Sequence, residues 1–176
     1  PVRHIKRYQE VTRDRYFNDE ELARLGSVLH QAQSERSEPL SVINAIRLLA
    51  LTGCRLGEVI SLQWSDIDFE GHQLKLRDSK TGPRSHTIGA ETTEFLRALP
   101  RTNDCLWVLP HSQRDRPLPD YTLKKAWRRL RAKAGLKDLR LHDLRHTVGT
   151  FAGQTGANAF AIRDKLGHKT TATTNR

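Results

Sequence analysis

Two arginines and two histidines, spread over most of the chain, are the residues whose types could do chemistry: Arg55, His142, Arg145 and His168. A guanidinium fork binds phosphate oxygens in pairs, and an imidazole moves protons near neutral pH. His142 and Arg145 stand three apart in the run HDLRHT, residues 142–147, so on a helix they share one face. Such a face would set a proton carrier beside a phosphate fork. His142 and His146 are four apart, the spacing of zinc ligands in HExxH. That match fails, because Asp143 follows His142 and Arg145 would place a cation beside the metal. His146 is expected to pack or hydrogen bond behind the site. No Asp/Glu cluster suggests a metal and no Gly-rich loop suggests a nucleotide, so no metal and no cofactor is expected. What fits is chemistry on a phosphodiester.

The rest of the composition agrees. Lys and Arg number 30 against 20 Asp and Glu, a formal charge of +10 over 176 residues. A balance this basic favours a polyanion partner, most often nucleic acid. A chain of this length is one ordinary domain able to bury a core. Cys54 and Cys105 have neither the number nor the spacing of a metal or redox motif and read as core residues in a reducing compartment. With no signal peptide and no apolar run that could span a bilayer, a cytoplasmic, nucleoid-associated protein without membrane contact is expected.

Several elements must hold these residues. Asn18, with Glu21 three residues on, is a helix-start pattern close to a capping box, and Leu22, Leu25, Leu29 and Ala32 follow at helical spacing. Residues 40–51 are apolar on most sides and predict a buried core helix ended by Gly53. A short helix over 56–62 follows, which places Arg55 at a tight junction beside the core. Short strands are predicted at 67–69, 74–77 and 85–88, with turns at Glu70-Gly71 and Thr81-Gly82-Pro83, giving a small three-stranded antiparallel sheet.

A helix over 90–99 stopped by Pro100, an apolar run at 105–109 read as an edge strand, and a Pro-rich loop at 111–119 come next. Asp120 is expected to cap a long helix to Ala134. It buries Leu123, Trp127, Leu130 and Ala134 and turns Lys124, Lys125, Arg128, Arg129, Arg131 and Lys133 outward. A face that dense in cations suits phosphate contact. Helices over 141–154 and 158–166 and a helix start at 170–176 complete an α+β, mainly α-helical domain.

The runs TGCRLGEV (52–59), HDLRHT and LGH (166–168), in that order and spacing, resemble the three boxes of the tyrosine recombinases, the phage integrase family. The resemblance runs from about Arg15 to Arg176. It implies an integrase-like catalytic domain at 16–176, preceded by a basic interdomain linker at 1–15, the N-terminal core-binding domain being absent. It implies strand cleavage and rejoining of double-stranded DNA through a 3′-phosphotyrosine, without metal or ATP. Arg55 and Arg145 would grip the scissile phosphate, and Glu58 would hold Arg55 in place. Lys80 would protonate the leaving 5′ oxygen, with Lys75 a weaker competitor. His142 would act as general base or as a hydrogen-bond donor to the transition state, and His168 would hydrogen bond a phosphate oxygen.

In one place the pattern departs. The family's nucleophilic Tyr would fall one position after Arg176, and Tyr8, Tyr16 and Tyr121 lie in other contexts. The chain as it stands is therefore expected to be unable to cleave and, without the C-terminal tail that in the family often packs on a neighbouring subunit, to be monomeric, whereas a full-length relative would form a tetrameric synapse with other protomers on DNA. The rival readings are a type IB topoisomerase and a DNA-binding regulator that never cuts.

Overall fold

The computed structural model describes residues 15–77, 82–101, 104–112 and 116–154. Helix α1 (Asp19–Ser34) opens on the predicted box. Asn18 Oδ1 accepts the Glu21 N–H at 2.8 Å, and Glu21 Oε2 accepts the Asn18 N–H at 3.1 Å. These bonds satisfy orphan donors of the first turn. Arg15 is drawn onto the same Glu21 carboxylate. Phe17 is fully buried, and its N–H donates to Thr147 Oγ1 at 2.9 Å, pinning the start of the domain to its last described helix.

Helix α2 (Leu40–Thr52) is the axis of the core. Eight of its residues are buried, and the other helices pack around it. An element apolar on most sides buries most of its surface, and only Leu40 and Leu51 of α2 are exposed. Gly53 ends it at φ 65°, a left-handed conformation that other L residues adopt only with strain. Helix α3 (Leu56–Ile60) and a 3-10 turn (Trp64–Asp66) follow.

Strands β1 (Ile67–Asp68), β2 (Gln73–Leu76) and β3 (Arg84–Thr87) form the antiparallel sheet in sequence order. The left-handed residue of the first hairpin is His72, at φ 48°, one place beyond the expected Glu70-Gly71 turn. Helices α4 (Ala90–Arg97), α5 (Asp120–Lys133) and α6 (Leu141–Gln154) complete the described chain. Among the described residues, no helix is long and apolar enough to cross a membrane.

Two local expectations are corrected. Residues 105–109 add no strand to the sheet. They touch the chain after α3 through a single bridge at Gln63 and Trp107, with Trp64 N–H to Leu106 O and Val108 N–H to Leu62 O each at 3.0 Å. Pro110, which carries no N–H, follows at once and suits the end of the pairing. Asp120 is the first residue of α5 rather than its cap. The extended residue before the helix is Pro119, and the Asp120 carboxylate takes Lys124 Nζ at 2.7 Å. The predicted helices at 158–166 and 170–176 lie outside the described residues.

Candidate active site

The turn from α2 to α3 builds one half of the site. Thr52 Oγ1 donates to Leu48 O at 2.6 Å and accepts the Cys54 N–H at 3.2 Å, so the chain leaves Gly53 on a fixed course. Arg55 is the N-cap of α3, with its side chain one quarter exposed. Glu58, one turn on, is buried, where an ordinary helix Glu would be solvated. Its Oε2 accepts the Arg55 N–H at 2.7 Å, and its Oε1 accepts Arg55 Nη1 at 2.9 Å. Burial pushes the Glu58 pKa up, but the Arg55 N–H, Arg84 and the Arg55 guanidinium outweigh it. They hold the carboxyl below its ordinary value and therefore ionised.

Helix α6 builds the other half. Arg145 is only 4 % exposed and donates from Nη1 to Gly53 O at 2.8 Å, so the residue that ends α2 also anchors the second arginine. Burial first, then the nearby Arg55 charge, push the Arg145 pKa down to about 10, which leaves it cationic at neutral pH. His142 is exposed one turn earlier. Partial desolvation, with the charges of His146, Arg145 and Arg55, pushes its pKa below the usual value against the pull of Asp143. His146 is not behind the site. It too is exposed, and its ring meets the His142 ring edge-on, centroids 4.9 Å apart.

Arg55, Glu58, His142 and Arg145 are thus brought together although up to 90 residues separate them in sequence. Lys80 and His168 lie outside the described residues. A cavity of about 500 Å³ opens beside this cluster. His142 and Arg145 line it with Lys124, Arg128, Arg131 and Arg140, over buried Leu49, Cys54, Trp127 and Leu141. Burial pushes the Cys54 thiol up to about 11, so it is a core group and no nucleophile. Among the described residues no group of three His, Cys, Asp or Glu could hold a metal ion.

The basic face of α5 is not uniform. Lys125 and Arg128 are exposed, and Arg131 donates from Nη1 to Leu139 O at 3.0 Å. Arg129 has Nε and Nη2 both engaged, at 2.7 Å each, on the two oxygens of Glu38. The sequence reading also passed over Arg84, which reaches Glu58 from β3 at 3.1 Å. Period-two alternation in RSHT was the available signal, since it sets Arg84 and His86 on one face of the strand.

A helical domain with a small sheet that gathers two arginines, a braced carboxylate and a histidine beside a basic cavity matches a known class. The phage integrase family profile matches residues 15–176, and the chain belongs to that family. It is 33% identical over 133 residues to the tyrosine recombinase XerA of Saccharolobus solfataricus, covering 73% of this chain and 42% of that protein. It is 31% identical over 149 residues to the integrase of Mycobacterium phage L5, covering 72% and 40%. The chain thus spans less than half the length of these relatives. Its fold superposes on a crystal structure of XerA recombinase with a TM-score of 0.74 at 28% identity, over 92% of this chain and 58% of that one. The Tn1549 transposon integrase, solved with transposon right-end DNA, shares the fold with a TM-score of 0.76 at 21% identity, over 94% and 61%.

Proposed function

We propose that the chain is the catalytic domain of a site-specific DNA recombinase that cuts one strand of a duplex and rejoins it through a 3′-phosphotyrosine. The observation that carries this reading is the pairing of Arg55, braced by Glu58, with Arg145, buried and charged, beside His142. In this reading the two guanidinium groups bind the non-bridging oxygens of the scissile phosphate and stabilise the charge that grows on them in the pentacoordinate transition state. His142, neutral near pH 7, accepts the phenolic proton or donates to a phosphate oxygen. The phenolate attacks phosphorus and the bond to the 5′ oxygen breaks. Lys80 gives the leaving oxygen its proton, and His168 hydrogen bonds the phosphate. The phosphoester energy stays in the tyrosyl link, and attack by a 5′ hydroxyl reverses the step. The nucleophile belongs one position past Arg176.

The substrate in this reading is double-stranded DNA, held by the cations around the cavity. Lys124, Lys125, Arg128 and Arg131 supply phosphate contacts from α5, while Arg129, its fork filled by Glu38, adds only its charge. The full-length protein works as a tetramer on paired sites. The solved relatives support this: XerH is known bound to its difH substrate, and lambda integrase as a tetramer on a Holliday junction.

The test is a denaturing-gel assay for a covalent protein–DNA adduct on a nicked substrate. The full-length protein should form the adduct, while the 176-residue chain and full-length Arg145→Ala should not. An adduct formed by the 176-residue chain would put the nucleophile at Tyr16 or Tyr121. Relaxation of plasmids lacking any defined site would favour a topoisomerase.

A further inference from the structure

Arg84 enters the site from the sheet. In β3, positions two apart share a face, and the register sets Arg84 opposite Leu76 and His86 opposite Leu74, all four on the inward side. The Arg84 side chain is accordingly only 13% exposed, and that of Glu58, its partner, 2%.

Among the described residues, two of the three hydrogen bonds on the Glu58 carboxylate come from Arg55, at the start of the same short helix. The third is Arg84 Nη2 on Oε2 at 3.1 Å, the contact from a separate element. We propose that Arg84 is a positioning residue for Arg55: it fixes Oε2 of Glu58 from the sheet, so that Oε1 faces the Arg55 guanidinium. This rests on the reading of Arg55 as a phosphate clamp.

Two physical effects follow from the arrangement. A carboxylate held on one side only can turn about its last bond and carry its partner with it. A grip from a second element removes that freedom, which preorganises the arginine before phosphate arrives. Charge is the other effect. Arg55 with Glu58 alone sums to zero, whereas Arg55, Glu58 and Arg84 sum to one positive charge. The brace therefore does not cancel the cation that the phosphate needs. Arg84 is itself steadied by His86, whose buried Nδ1 accepts from Arg84 Nη1 at 3.3 Å.

The experiment is a double-mutant cycle on the full-length protein, with Arg84→Gln, Glu58→Gln and the pair, reading single-turnover adduct formation and duplex affinity separately. Arg84→Gln should slow adduct formation about tenfold with affinity held within about twofold, the pattern of a group acting only in the transition state. The double variant should be no slower than Glu58→Gln alone, because both changes remove one brace. Arg84→Lys, which restores the charge but not the fork, should recover part of the rate. It also decides the matter if Arg84→Gln fails to fold.

Additive losses in the double variant, or a loss of affinity equal to the loss of rate, would make Arg84 a direct DNA contact and overturn the proposal. A readout that needs no activity is the Arg55 Nε–Hε resonance in the free protein. It should move and broaden in Arg84→Gln, and an unchanged resonance would equally overturn the proposal. Should the parent itself form no adduct on any substrate, the recombinase reading fails, while this resonance still decides whether Arg84 orders Arg55.

Discussion

Arg55 and Arg145 bring the same group into the same cluster, yet the protein holds them in opposite ways. Arg55 is partly exposed and pinned by a buried carboxylate that a second arginine also grips. Arg145 is almost fully buried, and it donates to a backbone carbonyl, that of Gly53. A braced cation is stabilised before any ligand arrives. A buried one carries a desolvation cost that an incoming phosphate can offset. The pair therefore divides the work. In the proposed reading the α3 end supplies rigidity, and the α6 end supplies a desolvated cation aimed at the charge of the transition state.

The sharpest way to break that contrast is to remove Arg145. In the full-length protein, Arg145→Met should lower adduct formation by at least about 10²–10³-fold, the scale of losing a donor aimed at developing charge. Its stability should stay within about 1 kcal/mol of the parent, because the relief of a buried charge offsets the Gly53 carbonyl left without its donor. Urea unfolding beside the cleavage assay checks both, and a large fall in stability would show that Arg145 is structural.

Glu58→Gln should do the reverse in stability. It leaves Arg55 and Arg84 facing a neutral amide and should cost about 2–3 kcal/mol, less than a fully buried pair because both cations are partly exposed. A midpoint of unfolding unchanged from the parent would remove the brace from the argument.

The two ends also separate along the pH axis. The Glu58 pKa is lowered in the fold, so its contribution is complete above the unfolded value near 4.5 and is lost as pH falls below that. The His142 pKa is lowered as well, but for a base this means that the fold disfavours the charged form. Its contribution is complete above the unfolded value near 6.5 and declines as pH falls through the window beneath it. Stability measured by unfolding from pH 7 down to about pH 2 should thus fall in two steps. His142→Asn should remove the upper step and Glu58→Gln the lower. A single step insensitive to His142→Asn would contradict the neutral imidazole.

The smallest effect lies on α5. Arg128→Gln and Arg131→Gln should each reduce the slope of log affinity against log salt by about 0.9, one phosphate contact apiece. Arg129→Gln should leave that slope unchanged, because Glu38 already fills its fork. An equal effect of all three would mean that the helix acts only as a diffuse charge.

Much of this was legible in the sequence, for identifiable reasons. Asn18 and Glu21 form their box locally, so two residues three apart were enough to place the start of α1. A run apolar on most sides placed α2, and Gly53 stopped it because a left-handed residue is a local requirement. His142 and Arg145 were readable as a pair because they sit within one helical turn, whereas Glu58 was tied to Arg55 by the resemblance to the tyrosine recombinases. Residues 105–109 were misread because an apolar run carries no mark of whether a neighbouring strand is there to pair with.

Only the tertiary structure decided what the cations do. Arg84, Arg129 and Arg145 are the same letter in the sequence. Their fates diverge because Glu58, Glu38 and Gly53 approach them from 26, 91 and 92 residues away. Spacing along a chain fixes which side chains share a helix face or a strand face. Which charge is braced, which is filled and which is buried depends on partners that only tertiary packing brings within hydrogen-bond reach: β3 beside α3 for Arg84, α5 beside the start of α2 for Arg129, and α6 against the end of α2 for Arg145.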